Sequence, residues 1–149
     1  MSRQRRKKFL LPEEQKKLVI TRLTGLMTKE TPEIVFAFLH GSFLEQGSFG
    51  DLDLAVFVDP SCPAAGKKTL EYELKTEMHL EETAGFPVDV RVLNRAPIPF
   101  RYNVLKNGRL LFCRNEELYA GFLSHTLVSY FDFAPYRKQY IKEVLGLEV

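Results

Sequence analysis

The stretch IVFAFLHGSFLEQGSFGDLDLAVFV, residues 34–58, decides the fold. It contains two apolar segments rich in β-branched and aromatic residues, separated by a polar loop that begins at Gly41-Ser42. Such segments predict two β-strands. The second segment opens with Asp51-Leu52-Asp53. Because residues two apart on a strand face the same side, we expect Asp51 and Asp53 to project together.

The residue types at the two ends of this loop suit phosphate chemistry. Adjacent carboxylates repel each other, and a cation between them keeps both ionised. Mg²⁺ favours such ligands and completes its shell with water and substrate phosphates. Glycine lets a ligand approach the backbone, where exposed N–H groups and a serine hydroxyl hold phosphate. Taken singly, an Asp-x-Asp is usually a solvated face and a Gly-Ser usually only a turn, but their order between two strands favours a site.

This order of motifs resembles the nucleotidyltransferases of the DNA polymerase β superfamily. The resemblance implies a third carboxylate on a later strand, and the segment VDVRV, residues 88–92, supplies Asp89. Asp59 is a rival, although its place in a proline-rich turn suggests a loop residue. In the family the three carboxylates are catalytic and bind two Mg²⁺ ions, and the Gly-Ser turn binds ATP. The implied set is Asp51, Asp53 and Asp89 for catalysis and metal, with Gly41 and Ser42 for the nucleotide.

The later part of the chain resembles one branch of that superfamily, the minimal nucleotidyltransferases or MntA-type antitoxins. Its order is Ala96-Pro97, a short helix, Asn107-Gly108, a short strand and an aromatic helical segment at residues 116–145. The resemblance implies a hetero-oligomer with a HEPN ribonuclease toxin, which the antitoxin neutralises by transferring AMP from ATP to a tyrosine hydroxyl. A small-molecule nucleotidyltransferase of the aminoglycoside type and a non-catalytic toxin-binding antitoxin remain alternatives. The loop at residues 43–50 lacks the arginine usual in this branch and has Gly50 where serine is usual.

Composition favours one globular domain of the α/β (α+β) class, a small mixed sheet flanked by helices with a C-terminal helical segment. The chain has 149 residues, of which 45% are hydrophobic and 27% charged. The net charge of +2 gives no indication of direct nucleic-acid binding. No apolar run approaches the roughly 20 residues that span a bilayer. Two cysteines without metal-ligand spacing fit a cytoplasmic protein. We expect a flexible basic tail at 1–12 and a domain at 13–149, including C-terminal helices at 115–149.

Periodicity predicts the flanking helices. Pro12 opens a helix whose apolar residues Val19, Leu23, Leu26 and Met27 face the core. A second helix, residues 67–83, is expected to bury Leu70, Leu74 and Met78 and to expose its glutamates Glu71, Glu73, Glu77, Glu81 and Glu82. Pro135 is expected to end or kink the last helix. Its aromatics should lie mostly in the core, with some on a partner surface: Tyr119, Phe122, Tyr130, Phe131, Phe133, Tyr136 and Tyr140.

His40 is interpreted as structural and Arg91 as a partner of phosphate or carboxylate.

Overall fold

The structure, a computed structural model, describes residues 7–145, without the side chains of residues 133–141 and 143–145. Four helices and four strands follow one another as α1 (Glu13–Glu30), β1 (Ile34–His40), β2 (Leu52–Val58), α2 (Thr69–Ala84), β3 (Val88–Val92), α3 (Ile98–Asn107), β4 (Arg109–Cys113) and α4 (Glu116–Leu145). Short 3-10 turns lie at Ser42–Leu44 and Pro63–Ala65. None of the described helices has the length and apolar character needed to cross a membrane.

The strands form one mixed sheet in the order β3-β2-β1-β4. β1 pairs antiparallel with β2 and with β4, whereas β2 pairs parallel with β3. Residues 34–39 are all buried, since β1 is central and both of its faces are covered. The predicted mixed α/β architecture is confirmed, as is the placement of Asp53 and Asp89 on neighbouring strands.

Helices cover both faces of this sheet. On one face, Leu23 and Met27 of α1 and Leu80 of α2 belong to a buried cluster with alternate residues of β2 and β3. On the other face, Val104 of α3 and Phe122 of α4 pack against β1. The predicted core face of α1 is therefore confirmed, and the sheet is the middle layer of three.

The predicted orientation of α2 is wrong. Leu70, Leu74 and Met78 are 68%, 53% and 71% exposed. The helix buries Thr76, Leu80 and Ala84 instead. Glutamates beside this buried face accept the backbone N–H groups of the edge strand: Glu73 from Val92 at 2.8 Å, Glu77 from Val90 at 2.8 Å and Glu81 from Val88 at 3.0 Å. The reason is that, among the described strands, β3 is at the edge of the sheet, so these N–H groups need other acceptors.

Two expectations about the chain ends also change. Phe9, expected in a flexible tail, exchanges two backbone hydrogen bonds with Phe49, at 2.8 and 2.9 Å. The expectation that Pro135 ends the last helix is wrong, since α4 runs on to Leu145; a kink at Pro135 stays a prediction. Among its aromatics Phe122 is buried and Phe131 is 58% exposed. The side chains of Phe133, Tyr136 and Tyr140 lie outside the described residues, as do residues 1–6 of the expected tail.

Candidate active site

The three predicted carboxylates meet in one cavity. Asp53 and Asp89 are opposite each other in the parallel register of β2 and β3. Asp51 stands just before Leu52, where β2 begins. All three line a cavity of about 730 Å³ at this end of the sheet. Its size is within the range of small-molecule sites in proteins.

The cavity is strongly acidic. Its lining includes five carboxylates but two cations, Lys7 and Arg91; the carboxylates are Asp51, Asp53, Glu77, Glu81 and Asp89. Nε of Arg91 lies 3.9 Å from Oδ2 of Asp89, in a long and largely exposed ion pair that confirms the carboxylate-pairing interpretation of Arg91. Burial raises the pKa of Glu77. The hydrogen bond from the Val90 N–H lowers this pKa, whereas the charge of Asp89 and a hydrogen bond between Glu77 and Asp89 raise it further. The cavity therefore attracts positive charge.

Gly41 lies against the side chain of Asp53, which lines the cavity. A β-carbon on Gly41 would overlap Oδ2 of Asp53 and lie 3.1 Å from its Cγ. The φ of Gly41 is +82°, in the region that L side chains rarely adopt. Ser42 follows as the first residue of the 3-10 turn, half-buried. The turn thus comes next to the carboxylates, although neither Gly41 nor Ser42 is itself among the described residues that line the cavity.

His40 is the residue of β1 that faces Asp53 in the sheet register. Its Nε2 is buried and has no hydrogen-bond partner within residues 7–145. Burial lowers the pKa of His40, while Asp89 and Asp51 pull that pKa upward and Arg91 pulls it down. An edge-to-face contact with the Phe100 ring, with centroids 5.6 Å apart, holds the imidazole. The imidazole therefore lies beside Asp53 with a buried Nε2 that no described residue engages.

The rival carboxylate Asp59 lies elsewhere. It follows Val58 at the opposite end of β2 and accepts the Ser61 N–H at 2.9 Å and the Ser61 hydroxyl at 2.7 Å. These bonds lower the pKa of Asp59 and are those of a turn. Asp89 is thus the carboxylate that shares a cavity with Asp51 and Asp53.

The donor set fits Mg²⁺ by its chemistry. Within residues 7–145, no three His, Cys, Asp or Glu side chains form a ready-made metal cage. Mg²⁺ needs no such cage, because it usually binds one or two carboxylates and fills its octahedron with water and substrate phosphates. The surplus of carboxylates over cations in the lining gives the electrostatic reason for a cation there.

Several lining residues were not predicted. Glu77 and Glu81 were interpreted as solvated surface, yet they line the cavity and bind β3. Glu73, Glu77 and Glu81 follow one another at four-residue spacing and so lie on one face of α2. This spacing is the sequence signal that could have identified them as a functional set. Lys7 and Phe9 also line the cavity, and nothing in their sequence pattern indicated it.

The sequence matches the model of the family described as Polymerase beta, Nucleotidyltransferase, over residues 25–117. No curated protein matches the chain. The family match spans α1 from Gly25 onward, the whole sheet and the start of α4, and so includes both carboxylate-bearing strands.

Several solved structures of similar fold are toxin–antitoxin complexes. A chain of the MntA-HepT complex is 18% identical with a TM-score of 0.62, the alignment covering 87% of this chain and 98% of that one. A second match is a chain from the structure of a tri-AMPylated Shewanella oneidensis HEPN toxin in complex with MNT antitoxin. It is 18% identical with a TM-score of 0.64, and the alignment covers 87% of this chain and 98% of that one. A chain from a toxin–antitoxin structure with AMP-PNP is 19% identical with a TM-score of 0.65, and the alignment covers 85% of this chain and 98% of that one. At these identities the likeness shows the fold alone.

Proposed function

Since the chain belongs to the polymerase beta nucleotidyltransferase family, we propose that it is an antitoxin that transfers AMP from ATP to a tyrosine hydroxyl of a HEPN-family toxin. The observation that carries the proposal is the meeting of Asp51, Asp53 and Asp89 in one acidic cavity. A chain that acted by contact alone would have no need of such a cluster, because mutually repelling carboxylates cost free energy unless a cation is bound.

The choice of nucleotide and partner is supported by the structures of similar fold. One contains a tri-AMPylated HEPN toxin with its MNT antitoxin, and another contains AMP-PNP. The family match supports giving this chain the place of the nucleotidyltransferase in such a pair. By analogy we infer a hetero-oligomer of this chain with a HEPN toxin and ATP as the donor.

In the proposed reaction Asp51, Asp53 and Asp89 would hold two Mg²⁺ ions. The chemistry supplied by the bound ions would be neutralisation of charge on the triphosphate and on the attacking and leaving oxygens. Gly41 and Ser42 hold the β and γ phosphates through backbone N–H groups and the serine hydroxyl.

Asp89 accepts the proton of the tyrosine hydroxyl, as a carboxylate within hydrogen-bond reach can. The tyrosine oxygen then forms a bond to the α-phosphorus of ATP, the bond from that phosphorus to the bridging oxygen breaks, and pyrophosphate leaves. The half-exposed position of the Asp89 side chain allows an acceptor hydroxyl to reach it.

The test is the intact mass of a HEPN partner after incubation with this chain, Mg²⁺ and each nucleoside triphosphate in turn. We expect a gain of one or more AMP groups with ATP. Asp53→Asn should abolish the gain, and Asp59→Asn is the matched control, the same change at the other end of β2, which should leave it intact.

A stable complex without any mass gain would contradict the transfer and favour a binding antitoxin. Transfer of AMP to a small molecule and not to the toxin would contradict the proposal that the acceptor is a protein. If Asp53→Asn transferred AMP as well as the wild type, the assignment of the cavity would be wrong.

A further inference from the structure

A short N-terminal arm, residues 7–11, lies at the mouth of the acidic cavity. Its anchor is Phe9, whose N–H donates to the Phe49 carbonyl at 2.8 Å while the Phe49 N–H donates back at 2.9 Å. Phe49 is fully buried and stands two residues before Asp51. The arm is therefore fixed to the loop that carries the first carboxylate, and it precedes the residues that the family model covers.

Side-chain packing reinforces this attachment. The Phe9 ring centroid lies 5.7 Å from that of Phe49 and 5.0 Å, edge-to-face, from that of Phe86. Phe86 belongs to the turn that leads into β3 and Asp89. Aromatic contacts of this kind add stability beyond the burial of area. The arm thus joins the two segments that bring the carboxylates together.

The loop under the arm is also held from the opposite side. Lys16 of α1, which is buried, donates from Nζ to the carbonyl oxygens of Phe43 at 3.0 Å and Glu45 at 2.9 Å. Its ammonium lies 5.2 Å from the Phe43 ring centroid and 5.6 Å from that of Phe49. The surface to which Phe9 is attached is consequently a fixed one.

The anchoring of Phe9 places two lysines beside the carboxylates. Lys7 lines the cavity, with its Nζ 5.7 Å from the Phe9 ring centroid. Nζ of Lys8 lies 3.6 Å from the position of a β-carbon on Gly50, the residue before Asp51. Both lysines are exposed, and Gly50 itself lines the cavity. A polyanion that enters here passes five carboxylates, and nearby cations lower the electrostatic cost of its entry.

We propose that this arm is a functional part of the nucleotide site, in which Lys7 and Lys8 contact the triphosphate of the incoming nucleotide. The inference rests on the proposed function and extends it to a segment outside the family match. Lysine suits the role because its ammonium is a point charge with three donors on a flexible stem, able to follow phosphates of varied geometry. The anchor at Phe9 keeps that charge at the opening.

The experiment is calorimetric titration of Mg-ATP into the full chain without a partner, so that binding is measured apart from turnover. Lys7→Gln with Lys8→Gln should weaken binding about tenfold, as expected for the loss of charge-assisted contacts to phosphate. Lys7→Arg with Lys8→Arg should retain most of the affinity. The matched control is Lys17→Gln with Lys29→Gln, which removes the same charge from exposed positions of α1 and should change the affinity less than about twofold.

The outcomes separate the two proposals. Equal affinities of the arm variant and the control would overturn the role of the arm while leaving the proposed function in place. A fall in thermal stability with unchanged Mg-ATP affinity would also overturn it, because it would show the lysines to be structural. Absence of Mg-ATP binding by the wild type would overturn the proposed function, and the role of the arm with it.

Discussion

Gly41 lies directly against the carboxylate of Asp53, so closely that a β-carbon there would overlap Oδ2. Gly41→Ala should therefore push the Asp53 side chain out of place. We expect a loss of nucleotidyl transfer of about a hundredfold or more, since a shift of about 1 Å at a reacting centre has effects of that size. Steady-state transfer rates, with chemical unfolding in parallel, would measure both consequences.

Gly47→Ala is the control for backbone strain. Gly47 also has a positive φ, +102°, but a β-carbon there would meet nothing within 4 Å. Gly47→Ala should cost about 1–3 kcal/mol of unfolding free energy through the unfavourable φ, and Gly41→Ala should cost at least as much, because the overlap with Asp53 adds to the strain. Only Gly41→Ala should abolish transfer. Equal activity of the two variants would show that the contact between Gly41 and Asp53 has no part in catalysis.

Sequence reasoning succeeded where a local pattern has one structural outcome. The two apolar runs around the Gly-Ser turn predicted buried strands, and the alternation of valines in VDVRV put Asp89 on the face opposite those valines. Since crossover connections favour neighbouring strands, the proximity of Asp53 and Asp89 followed as well.

The orientation of α2 and the pairing of Phe9 were not predictable from the sequence, because tertiary contacts determine both. The helix α2 offers a leucine stripe and a glutamate stripe at the same spacing. Periodicity favoured burying Leu70, Leu74 and Met78, but the helix buries Thr76, Leu80 and Ala84 and turns Glu73 and Glu77 toward the N–H groups of edge strand β3. Nor does any local pattern near Phe9 predict its partner Phe49, because that pairing joins segments far apart in the chain.

Two leucines of α2 test its orientation. Leu80 is fully buried and Leu74 is 53% exposed. Leu80→Ala should lower the free energy of unfolding by about 2–5 kcal/mol, through lost burial and the cavity left behind. Leu74→Ala should change it by less than about 0.5 kcal/mol, as is usual for surface positions. Urea unfolding of both variants would measure this, and a larger loss for Leu74→Ala would show that the helix faces the other way.

His40 should make stability depend on pH. Burial lowers its pKa from the ordinary value of 6.5, so the unfolded chain takes up the proton at a higher pH than the folded chain does. Stability should then fall as the pH drops below about 6.5, since the unfolded state binds more protons there. In metal-free buffer, urea midpoints between about pH 5 and 7 should show a weaker slope for His40→Gln.

The control for that slope is Met78→Gln, which introduces the same side chain at an exposed, non-titrating position of α2. It should retain the pH dependence of the wild type. If His40→Gln retained it as well, the imidazole of His40 would not be the group whose protonation opposes folding.

The most direct test of the account is pyrophosphate release from ATP in the presence of Mg²⁺ and a HEPN partner, compared between the wild type and Asp53→Asn. Asn keeps the shape of the side chain and removes the charge that a metal-bound triphosphate requires. The account predicts that the wild type releases one pyrophosphate for each AMP group found on the partner, and that Asp53→Asn is slower by at least about a hundredfold. Equal release by the two proteins would contradict it.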